Sequence, residues 1–287
     1  MKNQESRIKR LFLFAGYNQS GMIDHALVYY LREINKFGDI VLCMDSDCAS
    51  TAMRHAKPYT LHTISGRHGE YDFGSYKRAY IWATKNLSLS DYDFVYLIND
   101  SVYGPLYPMD KYFEKMESGN NAAFGLVCNP HPHHPHIQSW FIGTRPIVFQ
   151  SDWFDTFMRA IKKLPAKGEI TRQYEQGFTK LLIERNLPWA CLYYAPGRRV
   201  YNKIKLLFTR GMPFMKKVAF IRNSGALGRQ IMYVLSHISP DARDAILTSA
   251  ASQYGDHHVK KLLTRNPIKI GYRKLRHAYR KLFIEGI

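Results

Sequence analysis

No run of about 18 consecutive apolar residues occurs in the 287-residue chain, so no segment reads as a membrane-spanning helix. Cysteine is scarce: Cys43, Cys48, Cys128 and Cys191 form no Cys-x-x-Cys pair and show no zinc-ligand spacing. Neither a disulfide framework nor a zinc ribbon is expected, and the thiols read as reduced core residues. Acidic residues are few, 23 Asp and Glu against 41 Lys and Arg, which leaves a net charge of +18. The shortage is confined to one end. Residues 1–195 hold 22 basic against 19 acidic side chains, whereas residues 196–287 hold 19 against four. A near-neutral body thus carries a basic tail, suited to nucleic acid or to an anionic membrane surface. The N-terminal MKNQESRIKR leads into LFLFAGY, an apolar run too short and wrongly flanked for a signal peptide, so a cytoplasmic location is expected.

What the chain does have is alternation of strands and helices. RLFLFAGYN reads as a strand ending in a turn, MIDHALVYYLREINKFG as a helix closing on Gly38, and DIVLCMDSD as a second strand. That is a βαβ unit with a parallel sheet. An irregular stretch to Tyr71 is followed by a helix in SYKRAYIWATKNL, capped by Ser75, and by a strand in YDFVYLIND. PMDKYFEKMES, DWFDTFMRAIKKL and EQGFTKLLIERN read as helices, AAFGLVCN and WACLYY as strands. The expected fold class is α/β, a mainly parallel sheet flanked by helices, with 46% hydrophobic residues to fill its core. After Gly197 the pattern turns basic and mainly helical. The expected division is a domain over 1–215 and a basic helical extension over 216–287.

Candidate chemistry gathers where strands end. In open α/β sheets the ligand site lies beyond the carboxyl ends of the strands, and three strands here end in AGYN, DSD and NDS. Asp45, Asp47, Asn99 and Asp100 would share one rim, where hard oxygens suit Mg²⁺ or Mn²⁺ bridging a diphosphate. Ordinary Asx turn chemistry before Gly104-Pro105 accounts for the same residues. Ser75, beside Asp72, Lys77 and Arg78, is either a helix cap or a phosphate-binding helix start. The loop NPHPHHPH presents His131, His133, His134 and His136, but its prolines break helical spacing and no Cys or carboxylate accompanies them. A rigid loop beside an active site, with one His as acid, base or phosphate contact, fits better than a metal cage. Glu175 reads as a first-turn carboxylate that favours a helix dipole.

Taken together and in order, YDFGSYKRA, LINDSVYGPLYPMDKYFEKM, HIQSWFIG, YEQGFTKLLIERN and MPFMKK resemble the rhamnan synthesis protein F family of bacterial glycosyltransferases. The blocks run from about Leu11 to about Lys217, with Asn99 to Pro105 the most specific. The chain departs from the family at Phe124-Gly125, where members tend to show Trp-Gly, and in its His/Pro loop. The resemblance implies a GT-A fold and transfer of a sugar, L-rhamnose or another deoxy or hexose sugar, from a nucleotide-diphosphate donor. The first donor expected is dTDP-L-rhamnose, and the expected acceptor is a lipid-linked glycan of O-antigen, capsule or cell-wall synthesis. Asn99, Asp100 and Ser101 would then stand at the metal and diphosphate motif, with Asp100 and Asn99 as metal ligands. Gly16, Tyr17, Asp45 and Asp47 would line the nucleotide pocket, Asp72, Ser75 and Tyr76 would close it, and Gln138 would join the sugar-nucleotide contacts. An inverting reaction needs a base for the acceptor hydroxyl, Glu175 first and His136 second.

Within the tail, Tyr272, Leu275, Tyr279, Leu282 and Phe283 fall on one helical face with Lys and Arg around the other. That amphipathic pattern implies peripheral attachment to the inner face of the cytoplasmic membrane. Two other classes remain open on sequence alone: a nucleic-acid-binding protein that uses the tail, and an inactive glycan-binding domain of the same fold.

Overall fold

The computed structural model describes residues 8–221 and 227–264, together with Asn266, Gly271, Tyr272, Leu275 and Tyr279. The chain divides into two compact units. The first comprises residues up to Ile23, Tyr30–Asp100 and Met109–Pro196; the second comprises Asp24–Tyr29, Ser101–Pro108 and the segment from Gly197. A boundary after residue 215 falls inside the second unit and would cut its strand Met215–Lys216.

The ten strands of the described residues are β1 (Arg10–Gly16), β2 (Asp39–Met44), β3 (His62–Ser65), β4 (Phe94–Asn99), β5 (Val102–Tyr103), β6 (Ala123–Asn129), β7 (His136–Ile137), β8 (Phe141–Thr144), β9 (Trp189–Tyr194) and β10 (Met215–Lys216). Eight of them build the sheet of the first unit in the order β3-β2-β1-β4-β8-β6-β7, with β9 on β6. Pairs β1–β2, β1–β4, β2–β3 and β6–β9 are parallel, and the β8 and β7 pairings are antiparallel. The expected mainly parallel α/β sheet is therefore present. β3 had no signal in its sequence: four residues, HTIS, none of them fully buried.

Leu11 to Ala15, Ile40 to Met44 and Val95 to Ile98 are all essentially inaccessible, because both faces of the central strands are covered. Period-2 alternation divides them between two layers. Leu11, Leu13, Val41, Cys43, Val95 and Leu97 meet Phe73, Tyr76, Ala79, Tyr80 and Ala83 of the helix Tyr71–Asn86. Phe12, Phe14 and Tyr96 point the other way, Phe12 stacking on Tyr96 at 5.0 Å and Phe14 meeting Tyr30 edge-on at 5.0 Å. Beneath Tyr96 its hydroxyl donates to Glu117, which also takes two 2.6 Å bonds from Arg10.

In the second unit β5 pairs antiparallel with β10, and the helices Leu227–Leu235, Pro240–Tyr254 and Asp256–Leu262 close over Tyr103, Phe220, Ile231, Val234, Ile246 and Val259. Ser239 caps the long helix by accepting from the amide of Ala242, with Pro240 at its first position. Asp24 is buried here and accepts from Ser249 Oγ at 2.9 Å and Gln253 Nε2 at 2.7 Å. Burial alone would raise its pKa, but the charge of Lys217 and these hydrogen bonds hold it below the usual value.

Candidate active site

Parallel register brings three strand ends together: Gly16 pairs with Met44, and Ala15 with Asn99. Asp45, Asp47, Asn99 and Asp100 follow from these ends, as their sequence positions imply. A shallow depression of about 380 Å³ lined by Arg10, Gly38, Asp39, Asp91 and Tyr92 lies at the opposite strand ends, away from all of them.

Asp45 and Asp47 hold a loop. Asp45 Oδ1 accepts from the amides of His68 at 2.7 Å and Gly69 at 3.0 Å, and Asp47 Oδ1 accepts from the amide of Arg67 at 3.0 Å. Gly69 takes φ +68°, which its missing side chain allows. Tyr71, with no such freedom, takes φ 56° as the helix begins, a strained conformation that costs about 1–3 kcal/mol and is characteristic of functional sites. The helix thus starts at Tyr71 and not at Ser75, which is 1% exposed inside it. Lys77 and Arg78 are spent structurally, Lys77 on the carbonyl of Ile161 at 2.6 Å and Arg78 on Glu70 at 2.7 Å.

Ser75, His68 and Asp45 have the outline of a nucleophile triad, with Ser75 Oγ 3.0 Å from His68 Nε2 and Asp45 Oδ2 3.6 Å from His68 Nδ1. The hydrogen bonds rule out that role. The Glu70 amide donates to Nδ1 at 3.1 Å, so the ring proton sits on Nε2 and points at Ser75, where a base would need a bare nitrogen. Burial, then the charge of Arg78, lowers the His68 pKa and keeps the ring neutral. This cluster is a support for the loop.

A second chain of hydrogen bonds begins at the end of β4 and joins most of the remaining candidates. Asn99 Nδ2 donates to Asp72 Oδ2 at 2.9 Å and to Tyr76 Oη at 3.1 Å. Tyr76 Oη donates to the carbonyl of Ser139 at 2.9 Å, and Ser139 Oγ donates to Glu175 Oε2 at 2.9 Å. Glu175 Oε1 lies 3.4 Å from His136 Nε2. The other ring nitrogen of His136 faces the carbonyl of His134 at 2.7 Å. A carbonyl only accepts, so Nδ1 carries a proton. Burial alone would lower the His136 pKa, but the bond to Glu175, the His134 carbonyl and the Glu175 charge outweigh it and raise the pKa. Glu175 thus favours the protonated form of the ring it faces.

Glu175 is not a helix-start carboxylate. The helix begins at Lys167, and Glu175 lies in a π-helical stretch, Thr171–Gln176, before α-helix resumes at Gly177. Such wide turns are rare and recur at functional sites. Here Tyr174 Oη anchors the stretch on both backbone groups of Lys162, while Thr179 Oγ1 takes the amide of Ile137 and ties the helix to β7. Glu175 is thereby delivered to Ser139 and His136.

The candidates sort by exposure. Ser75, Tyr76, Asn99 and Gln138 are buried, Gln138 with its carbonyl oxygen on Trp140 Nε1 at 2.8 Å, so they act through neighbours. Tyr17 is half exposed, Asp72 and Asp100 partly exposed, and the Glu175 carboxylate is 19% exposed. Gly16 lies so close to Met44 that a Cβ there would be 2.3 Å from its sulfur. Ser101 belongs to the second unit, where its hydroxyl takes Lys216 Nζ at 2.9 Å. Asn99 and Asp100 serve different sides of the sheet: Asn99 reaches Asp72 and Tyr76, while the charge of Asp100 acts on Tyr30. Among the described residues no group of three or more His, Cys, Asp or Glu is placed to hold a metal ion. Sequence reading assigns no role to His68, or to Ser139 within the block HIQSWFIG.

No curated protein sequence matches the chain. Among solved structures it is similar to a Desulfovibrio desulfuricans G20 protein assigned as a nucleotide-diphospho-sugar transferase, with 16% identity and a TM-score of 0.42 over 80% of this chain and 96% of that one. It is also similar to the mannosyltransferase Ktr4p of Saccharomyces cerevisiae, with 10% identity and a TM-score of 0.37 over 59% and 64%. A third is core-mannan synthase A of Aspergillus fumigatus, solved in a Mn/GDP form, with 10% identity and a TM-score of 0.33 over 55% and 65%. The family model for rhamnan synthesis protein F matches residues 40–281. With most of its length matched and the strand-end blocks in place, the chain belongs to the rhamnan synthesis protein F family, a family of glycosyltransferases of polysaccharide synthesis.

Proposed function

We propose that the first unit transfers a sugar from a nucleotide-diphosphate donor to a hydroxyl of a growing bacterial surface polysaccharide, with inversion at the anomeric carbon. The observation that carries this reading is the series of hydrogen bonds that links Asn99 at a strand end and Asp72 beside it, through Tyr76 and Ser139, to Glu175 facing His136. In that reading the donor lies at the strand ends with its base by Tyr17, and its reacting carbon faces Glu175. The acceptor oxygen bonds to the anomeric carbon, the bond from that carbon to the diphosphate oxygen breaks, and Glu175 takes the hydroxyl proton. Ser139 and His136 keep the carboxylate aimed.

In the same reading Asp100 would hold a hard divalent cation together with the donor's phosphates. Asp72 and Asp100 are partly exposed carboxylates, and the amide of Asn99 donates to Asp72 and Tyr76. One or two carboxylates completed by phosphate oxygens and water is how Mg²⁺ is commonly held. A bound Mg²⁺ or Mn²⁺ would offset charge on the departing diphosphate.

The family's name makes dTDP-L-rhamnose the first donor to test and a lipid-linked glycan the acceptor. The basic tail supports attachment to the inner face of the cytoplasmic membrane: residues 260–287 carry nine Lys and Arg against Glu285 alone. Tyr272, Leu275 and Tyr279 of its stripe are exposed, which supports that reading; Leu282 and Phe283 lie outside the described residues. Nucleic acid needs no such apolar stripe. Among the described residues no helix is long and apolar enough to cross a membrane.

Thermal unfolding with a panel of sugar nucleotides, with and without Mn²⁺, tests the reading. A donor at 100 times its Kd adds about 2.7 kcal/mol of stability to the native state. A panel that leaves the melting temperature unmoved counts against sugar-nucleotide binding.

A further inference from the structure

A base takes a proton only from a hydroxyl within hydrogen-bond reach. The reacting end of the acceptor therefore lies at Glu175, and what borders Glu175 borders the acceptor. That border is a hairpin. His136, in contact with Glu175, opens β7 and pairs with Asn129 at the end of β6, and the two are joined by Pro130 to Pro135. His131, His133 and His134 on this loop are exposed. Their placement is fixed: His131 and His134 stack with centroids 5.4 Å apart and planes 13° apart. The amide of His134 donates to the carbonyl of His131 at 3.2 Å, and that of His133 to His131 Nδ1 at 3.3 Å. Three prolines restrict the intervening backbone. On the other side of β6, Cys128 pairs both with Ile137 of β7 and with Tyr194 of β9. Tyr194 is 64% exposed, at the same end of the sheet.

We propose that the His131–His134 loop and Tyr194 form the platform on which sugar rings of the acceptor glycan lie while the terminal hydroxyl meets Glu175. The proposal rests on the transfer reading above. Sugar rings offer apolar C–H faces and hydroxyl edges, and imidazole and phenol offer ring faces with polar atoms at their rims. A loop already stiffened by proline and ring stacking loses little freedom on binding. A metal cage is the competing use of clustered histidines, and no metal-holding group is present among the described residues. The four histidines then divide the work, His136 orienting the base and the outer three receiving the glycan.

The test is NMR of the imidazole signals of the intact chain titrated with a rhamnose trisaccharide, repeated on Tyr194→Ala and on the double variant His131→Ala/His134→Ala. Because these side chains are exposed, both variants should melt close to the parent. Expected are shifts of the His131 and His134 signals and a loss of trisaccharide affinity of about tenfold in each variant. Affinity for dTDP-L-rhamnose, measured separately by calorimetry, should not change. Unmoved His131 and His134 signals, unchanged trisaccharide affinity in the variants, or a matching fall in donor affinity would overturn the proposal. Failure of the intact chain to bind dTDP-L-rhamnose counts against the transfer reading alone, because trisaccharide binding is scored independently.

Discussion

Replacing Glu175 by Gln removes proton acceptance while keeping the size of the side chain and its bond from Ser139. Ser139 Oγ donates to Oε2 at 2.9 Å, and a glutamine carbonyl of the same size can still receive that bond. The amide cannot carry away the acceptor's proton. Transfer should slow by about 10²–10⁴-fold, the usual worth of a positioned base. At ~1.36 kcal/mol per tenfold, that is about 2.7–5.5 kcal/mol of transition-state stabilisation. Donor affinity should stay near wild type, because the strand-end contacts are untouched. The pair also sets a pH signature. His136 Nδ1 keeps its proton on the His134 carbonyl, so deprotonation bares Nε2 and turns a lone pair towards Glu175 Oε1. Activity should fall as pH rises through the raised His136 pKa, and that alkaline limb should vanish in His136→Gln. Release of nucleoside diphosphate, followed from neutral to alkaline pH beside calorimetric donor binding, reads both effects. Turnover of Glu175→Gln within about threefold of wild type, or a fall in donor affinity with turnover intact, would refute the base assignment.

Asp100→Ala should keep the fold, since Asp100 is partly exposed where β4 ends, and it should lose both transfer and the Mn²⁺-dependent part of the donor's thermal stabilisation. Near wild-type turnover in that variant would remove Asp100 from the diphosphate site. The stability–pH curve should bend on both sides of the ordinary histidine value of 6.5. His68, lowered on folding, contributes stability that is present above 6.5 and lost as pH falls through its folded pKa; His136, raised on folding, contributes stability that is present below 6.5 and lost as pH rises through its own. His68→Asn should flatten the acid side and His136→Gln the alkaline side of denaturant midpoints measured across pH, and an unaltered curve in either variant defeats that assignment. Deleting residues 260–287 should abolish sedimentation with anionic vesicles, each basic residue near such a surface being worth about 1 kcal/mol, and tighter binding of the intact chain to DNA than to vesicles would reverse the choice of partner.

The fold was legible where hydrophobic runs were long. β1, β2, β4 and β6 are apolar over five or more residues because both their faces are covered, and the helix His25–Asn35 carries a clear 3.6 period. β3 is short and half-buried and so left no pattern. The division into units was not legible either. Residues 24–29 and 101–108 join the second unit through tertiary contacts such as Asp24 with Ser249 and Tyr29 with the carbonyl of Pro105, and no local composition announces them.

The site shows the same split between local and distant causes. A polar residue closing an apolar strand is a local signal, and it led to Asn99 and Asp100. What Asn99 does depends on partners more than twenty residues away in Asp72 and Tyr76, and the next bond, from Tyr76 to Ser139, spans 63 positions. Sequence spacing carries no trace of such pairings. Ser75, Asp45 and His68 show the cost of judging by residue type alone: Ser, Asp and His in one cluster suggest a nucleophile, and a single backbone amide on Nδ1 denies it. The same accounting supports Glu175. Its two oxygens are engaged by a hydroxyl donor and an imidazole, its backbone sits in a π-turn that no cap requires, and its carboxylate still reaches solvent. A carboxylate needed only for helix stability would sit at the helix N-terminus. This one sits within the helix, held at the end of a buried path that starts where the strands stop.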